Sequence, residues 1–221
     1  MSIFLYTTYT ILHLCLLIWG LQIWVRTRSL SVLITVAVTF GLIYDNLVLA
    51  LGSFLAPGDF LYFISLPRFV LHQLFLPWII YASFLYVRMA GVDWAVAAGR
   101  SKWIIWLSFF VMIMGIITRI VPLKLEPVAM DGINRYVFAA AKGPPIVSVV
   151  AIGFAAIMGF FLWRKLGWVW VFLTSVLVFV GEAIPVEMIR RSVGSGGEVL
   201  FIFAMLGTAV MLYKTRTNLI D

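Results

Sequence analysis

Apolar side chains dominate seven stretches of the chain, and short polar or charged segments separate them. The stretches lie at roughly residues 4–24, 31–53, 60–87, 103–122, 145–163, 167–186 and 197–213. A helix needs about 20 apolar residues to cross the hydrocarbon core of a bilayer, and the stretches are close to or above this length. The pattern therefore predicts an all-α, polytopic transmembrane helix bundle with seven spans, which forms a single domain over residues 1–221.

Turn and charge signals mark the breaks between these stretches. Pro67 and Pro77 fall inside the third stretch, where they predict a bend or a local break in the helix. The segment from Pro122 to Pro145 is interpreted as a connecting loop, and Gly194–Gly197 as a flexible turn before the last span.

Composition and charge support a membrane location. Apolar residues make up 64% of the chain and charged residues only 11%, which leaves too little polar surface for a water-soluble protein of this size. The formal net charge of +7 favours contact with anionic lipid headgroups over nucleic-acid binding. The protein is therefore predicted to be an integral, multi-pass membrane protein without a nucleic-acid partner.

The distribution of basic residues predicts the orientation of the chain. Cytoplasmic loops are enriched in lysine and arginine. Nine basic residues fall on one side of the predicted bundle: Arg26, Arg28, Arg88, Arg100, Lys102, Arg164, Lys165, Lys214 and Arg216. Five fall on the other: Lys124, Arg135, Lys142, Arg190 and Arg191. This difference predicts an amino terminus outside and a carboxyl terminus in the cytoplasm.

Metal and cofactor signatures are missing from the sequence. It has no His-Glu-x-x-His run, no cysteine pair and no third histidine, so a zinc hydrolase is disfavoured and neither a metal nor a cofactor is predicted. The last span has no lysine for a retinal Schiff base, although seven spans are also typical of microbial rhodopsins.

Ionisable side chains within the spans are concentrated in one half of the bilayer. At a rise of about 1.5 Å per residue, three helices place His13, Asp45 and Arg68 at a common depth of roughly 12 to 13 Å. His72 follows Arg68 by one helical turn, on the same face. Arg119 and Glu182 lie shallower. Because a charge in a span is costly, such groups usually face a protein interior or a wet cavity.

The densest polar signature is Tyr44-Asp45-Asn46, followed by Pro67-Arg68 and His72-Gln73. Two interpretations remain open at this point. In the first, Asp45 and Arg68 form a buried ion pair that joins two helices and has no catalytic role. In the second, Asp45 and His72 exchange protons with a ligand whose headgroup is oriented by Arg68.

The second interpretation defines a set of candidate site residues. The catalytic candidates are Asp45, His72 and Glu182. The substrate-binding candidates are Tyr44, Asn46, Arg68, Gln73, Arg119, Glu198 and His13.

The stretch Ile43–Gly52, with Tyr44-Asp45-Asn46, together with Pro67-Arg68 and His72, resembles a family of poorly characterised polytopic membrane proteins. In length and helix number the chain is also similar to the small membrane-integral terpene cyclases. That second resemblance implies an acidic residue in helix two that protonates an isoprenoid, and Asp45 is the corresponding residue. Those cyclases have a second acid in the middle of their last helix. The last predicted span of this chain has no acid in its middle, and its Glu198 lies at the start of the span.

These observations favour an integral membrane enzyme that acts on an apolar lipid or isoprenoid, by acid/base chemistry of the cyclase or isomerase type, in a pocket in the outer half of the bilayer. A transporter or receptor would use the same buried charges, and a non-catalytic membrane subunit would need only the Asp45–Arg68 bridge. The sequence does not indicate an oligomeric state.

Overall fold

The computed structural model describes residues 2–130, 132–139, 145–183 and 187–217, with only the backbone described at residues 2, 182–183, 187–193 and 216–217. Its helices are α1 Ser2–Thr27, α2 Leu30–Leu51, α3 Asp59–Phe75, α4 Trp78–Met89, α5 Asp93–Val96, α6 Arg100–Gly115, α7 Ile146–Leu166, α8 Trp170–Ala183 and α9 Glu187–Thr217. A π-helical turn, Ile116–Ile120, follows α6 directly. The all-α bundle is therefore confirmed.

The outer surface of the bundle is apolar, as expected for a protein that is solvated by lipid. Among the described residues, six helical segments are long and apolar enough to cross a membrane, when α3 is counted together with α4 and α6 together with its π-helical turn. Large hydrophobic side chains point outward along them; on α6, for example, Trp103 is 74% exposed and Phe110 is 62% exposed. An apolar surface of this extent would be unstable in water, and the protein is thus a multi-pass membrane protein.

The third apolar stretch is divided near Pro77, which confirms the predicted break. α3 ends at Phe75 and α4 begins at Trp78. Pro77 has no N–H to donate to the preceding turn, so the backbone hydrogen-bond ladder is interrupted there. Pro67, in contrast, is accommodated inside α3, one residue before Arg68.

The last three helices form an antiparallel set beside α1. The Trp168 indole donates a hydrogen bond of 2.8 Å to Thr208 Oγ1, while Gly197 packs against Val178, so α8 and α9 run in opposite directions. α9 runs parallel to α1, because Gly196 packs against Tyr9 and the Tyr213 hydroxyl donates to the Thr27 carbonyl. The sixth predicted stretch forms α8, whose 14 residues extend only about 21 Å.

The prediction of a flexible turn at Gly194–Gly197 is wrong, because this segment lies inside α9. Here the glycines allow neighbouring helices to approach closely. A Cβ atom on Gly196 would lie 3.0 Å from the Tyr9 hydroxyl, and one on Gly197 would lie 3.0 Å from Val178 Cγ2. Small residues at helix interfaces of membrane proteins commonly serve this purpose.

The segment interpreted as a loop between Pro122 and Pro145 contains a β-hairpin, which corrects that prediction. Strand β1, Leu125–Met130, pairs with β2, Ile133–Phe138, in antiparallel register. The register runs from Leu125↔Phe138 to Met130↔Ile133, and Gly132, directly before β2, has a φ of +76°. A glycine with positive φ is common where a hairpin turns tightly.

Gly159 is a point of close packing between α7 and α8, and replacement by alanine is expected to separate these helices. The added Cβ would lie 2.4 Å from the backbone nitrogen of Phe172. Because a backbone atom cannot rotate away, we expect Gly159→Ala to lower the free energy of unfolding by about 1 to 3 kcal/mol. Unfolding of the detergent-solubilised protein, followed by circular dichroism, measures the change.

Gly153 provides the matched control on the same helix. A Cβ atom there would be 4.0 Å from the nearest side-chain atom, Phe179 Cε2, which is ordinary van der Waals contact. Gly153→Ala is therefore expected to leave stability unchanged or slightly higher. Equal destabilisation by the two substitutions would contradict the proposed close contact.

Candidate functional site

Asp45 of α2 and Arg68 of α3 form an ion pair, as the sequence predicts. Arg68 Nε donates to Asp45 Oδ1 at 2.8 Å. The two side chains differ in environment, since that of Arg68 is 11% exposed and that of Asp45 is 34% exposed. Among the described residues, Arg68 Nη1 is buried without a hydrogen-bond partner, and Asp45 Oδ2 has none either. Both groups thus retain capacity to bind a ligand.

His72 lies one turn beyond Arg68 on α3 and contacts α7. Its Nε2 atom is 3.0 Å from the Ser148 hydroxyl, and either atom can be the donor, depending on the imidazole tautomer. Nδ1 makes no hydrogen bond to any described residue, so it can accept or donate toward a ligand. The charges of Asp45, Arg68 and Arg119 are within electrostatic range of the ring.

The π-helical turn positions Arg119 beside these groups. In this turn the Val121 N–H donates to the Ile116 carbonyl at 2.9 Å, five residues earlier. Such turns shift the side chains that follow, and they are frequent at functional sites. Arg119 stacks over the Phe138 ring of the hairpin, with its guanidinium carbon 5.4 Å from the ring centroid. The turn therefore connects α6 to the hairpin.

Gln73 lies where α3, α6 and α7 meet. It is 7% exposed, and its Oε1 atom has no hydrogen-bond partner among the described residues. Gly115, the last residue of α6, makes room for it, since a Cβ atom there would lie 2.6 Å from Oε1. A buried amide oxygen without a partner is costly, so this position favours a polar ligand atom or a water molecule nearby.

The hairpin docks on the loop between α2 and α3. The Asn134 N–H donates to the Gly52 carbonyl at 2.9 Å, and Asn134 Nδ2 donates to the Leu55 carbonyl at 3.0 Å. Next to these bonds, Tyr136 packs edge-on against Tyr62, with ring centroids 5.3 Å apart. The absence of a side chain at Gly52 permits this docking, because a Cβ atom there would be 2.0 Å from the Asn134 carbonyl oxygen.

A cavity of about 340 Å³ lies between the helices and the hairpin. Its volume is within the range of small-molecule sites. Six of the candidate residues line it: Asp45, Arg68, His72, Gln73, Arg119 and Glu198. Thus the structure brings together side chains from three helices and the π turn.

Three other candidates do not line this cavity. The Tyr44 hydroxyl donates to the Ile64 carbonyl at 2.9 Å and so joins α2 to α3. Asn46 is fully buried and donates from Nδ2 to the Leu42 carbonyl of its own helix. His13 is fully buried as well, with Nδ1 2.9 Å from the Tyr9 carbonyl. The side chain of Glu182 lies outside the described residues.

Sequence reasoning missed the contributions of α7 and the hairpin. Ser148 lines the cavity beside His72, and Arg135 and Tyr136 line it from β2. The serine carries no local signal, since it is a small polar residue in an apolar helix. The Asp131-Gly132 pair between two strand-like segments was a usable signal for the hairpin.

No protein-family model matches the chain, and comparison with curated proteins finds no match. The fold and the cavity define a multi-pass membrane protein in which polar side chains from separate helices meet in one internal site.

Proposed function

We propose that this protein is an integral membrane enzyme that binds a lipid or isoprenoid in the 340 Å³ cavity and transfers a proton on it. One observation carries the proposal. A single cavity is lined by Asp45, Arg68 and His72. Each of these residues has a polar atom without a hydrogen-bond partner among the described residues, namely Asp45 Oδ2, Arg68 Nη1 and His72 Nδ1. Polar groups held without partners inside a membrane protein favour a role in ligand binding.

An apolar ligand fits the remainder of the lining. Phe69, Phe75, Leu71 and Leu49 contribute aromatic and aliphatic walls. Apolar walls combined with a few converging polar groups are typical of sites that bind amphipathic small molecules. Because the cavity lies within a helix bundle solvated by lipid, a molecule that is already dissolved in the bilayer is the favoured substrate.

The geometry of the ion pair supports Asp45 as the base. Arg68 Nε holds Oδ1 at 2.8 Å, whereas Oδ2 has no hydrogen-bond partner among the described residues and can face the ligand. Asp45 is then suited to remove a proton from a carbon next to a double bond of the ligand and, after its carboxyl proton has exchanged with water, to return a proton to another carbon, which yields an isomer of the same formula. Arg68 and His72 would hold the polar end of the ligand. This assignment differs from the proton-donor role that the resemblance to terpene cyclases implies.

Seven crossings and an outward-facing cavity are part of the same proposal. α7 and α9 are both long enough to span, and α8 runs antiparallel to α9, which supports a return of the chain through α8. The greater number of basic residues at the end of the bundle opposite to the hairpin supports a cytoplasmic location for that end.

Deuterium exchange tests the proposed chemistry. The purified protein, with its co-purifying lipids, is incubated in D₂O, and the lipids are analysed by chromatography and mass spectrometry. We expect an isomer that has gained deuterium. His72→Gln and the charge-neutral Asp45→Asn/Arg68→Gln variant are expected to lower its formation by about 10²- to 10⁴-fold. His13→Gln, which removes the histidine that does not line the cavity, is expected to retain it.

The same experiment identifies the alternatives. Lipid that binds selectively but gains no deuterium would support a transporter or receptor. If no lipid binds selectively and none gains deuterium, the result would support the non-catalytic subunit.

A further inference from the structure

Three arginine side chains line the cavity among the described residues, namely Arg68, Arg119 and Arg135. Asp45 is paired with Arg68 through Nε. Guanidinium groups that line one cavity favour an anionic ligand, because its oxygens can accept hydrogen bonds from their N–H donors.

From this arrangement we infer that the ligand is an anionic amphiphile, whose phosphate or carboxylate group lies between Arg68 and Arg119 and whose chain extends into a second, smaller cavity. The inference rests on the proposed function, because it specifies the ligand class of the same site.

Arg68 supplies a directed donor for the anion. Its Nε atom is used by Asp45, whereas Nη1 is buried and has no partner among the described residues. The planar guanidinium group presents its N–H donors in a fixed fork, which matches the oxygens of a phosphate or a carboxylate. A ligand oxygen at Nη1 would satisfy a donor whose burial otherwise costs free energy.

Arg119 lies at the junction of two cavities. The second cavity has a volume of about 190 Å³ and shares Gln73, Arg119, Phe138 and Pro145 with the first. Arg119 is oriented by the π turn and by its contact with the Phe138 ring. An anion held by Arg119 would therefore lie at the entrance to the second cavity.

The second cavity offers a path for an apolar chain. Ile146 and Val147 of α7 line it, as does Thr118 of the π turn. Thr118 and Ile146 are exposed at the surface of the bundle, which faces lipid, and Ile146 is 63% exposed. A ligand with its anion at Arg119 can thus direct its chain between α6 and α7 toward the bilayer.

Paired lipids that differ only in charge test the inference. The full chain in detergent is titrated with geranylgeranyl phosphate and geranylgeraniol, then with dioleoyl phosphatidic acid and dioleoylglycerol, and finally with inorganic phosphate alone. Binding is measured by native mass spectrometry. We expect the phosphorylated member of at least one pair to bind at least tenfold more tightly than its neutral partner, and inorganic phosphate to bind at least a hundredfold more weakly than that lipid. The pair with the larger preference distinguishes an isoprenoid from a phospholipid.

Substitution of Arg119 locates the anion. Arg119→Gln is expected to reduce the preference for the phosphorylated lipid at least fivefold, and Arg119→Lys to restore part of it. Arg164→Gln removes an exposed charge at the opposite end of α7 and is the matched control, with no expected effect. Equal binding of charged and neutral lipids by the native chain would overturn the inference, whether or not Arg119→Gln folds. Inorganic phosphate as tight as the phosphorylated lipids would also overturn it, since the site would then bind a free anion.

These outcomes are separable from those of the deuterium experiment. A charge preference without deuterium uptake retains the anionic amphiphile as ligand but removes the enzymatic function. Deuterium uptake without a charge preference retains the enzymatic function but removes the anionic amphiphile as ligand.

Discussion

Asp45→Asn is expected to destabilise the protein more than Arg68→Gln does, although each substitution breaks the same ion pair. The reason is the charge that is left behind. After Asp45→Asn, the charge of Arg68 remains, and that side chain is only 11% exposed. After Arg68→Gln, the charge of Asp45 remains, and that side chain is 34% exposed. We expect losses of about 3 to 5 kcal/mol for the first substitution and about 1 to 3 kcal/mol for the second.

The double variant Asp45→Asn/Arg68→Gln removes both charges and is the critical comparison. It is expected to be more stable than Asp45→Asn alone, because no unpaired charge is buried. Unfolding of each variant by sodium dodecyl sulfate in mixed micelles gives the three free energies of unfolding. If Arg68→Gln lowered the free energy of unfolding as much as Asp45→Asn does, the difference in burial between the two remaining charges would not control stability.

The ion pair also bears on the choice between a structural and a catalytic role. If the bridge is purely structural, the double variant should regain both the stability and the deuterium uptake into lipid that Asp45→Asn alone loses. If Asp45 is catalytic, the double variant should regain stability alone, since the carboxylate base is still missing. The double variant therefore separates the two roles in a folded protein.

Gly52→Ala is expected to release the β-hairpin from the bundle. The added Cβ would lie 2.0 Å from the Asn134 carbonyl oxygen, where no side-chain rotation can relieve the overlap. Loss of docking would break the hydrogen bonds of Asn134 to Gly52 and Leu55 and would open the cavity on the side of β2. We expect a loss of about 1 to 3 kcal/mol in the free energy of unfolding, and weaker lipid binding.

Trypsin provides a direct measure of docking. Arg135 is 6% exposed in the docked hairpin, whereas Lys124 at its base is exposed. Cleavage after Arg135, relative to cleavage after Lys124, should therefore be slow in the native protein and fast in Gly52→Ala. Gly58→Ala is the control, because its Cβ would meet nothing within 4 Å and its backbone is extended. Slow cleavage after Arg135 in Gly52→Ala would show that the hairpin does not depend on this contact.

The membrane-spanning helices were largely predictable because their main determinants are local. A run of apolar residues determines whether a segment enters lipid, and within lipid the backbone must satisfy its own hydrogen bonds. The same reasoning predicted the break near Pro77, where a donor is missing, and the pairing of Asp45 with Arg68, whose predicted depths in the bilayer agree. The roles proposed for the site residues remain predictions.

Local signals failed where a contact with a distant residue decides the structure. Gly194–Gly197 has the composition of a turn, yet it is helical because α1 and α8 pack closely against it. In the same way, Tyr44 and Asn46 adjoin Asp45 in sequence but bond to helix carbonyls and do not line the cavity. Successive residues on a helix point about 100° apart, so neighbours in sequence face different surroundings.

The sequence by itself determined that the chain is a bundle of membrane-spanning helices. Only the tertiary structure decided which of its ionisable groups share a cavity, because Ser148, Arg119 and the hairpin reach it from segments far apart in the chain. The physical reason is that a helix satisfies its backbone hydrogen bonds within itself. A cavity, in contrast, is formed by the packing of several helices, and no single segment encodes it.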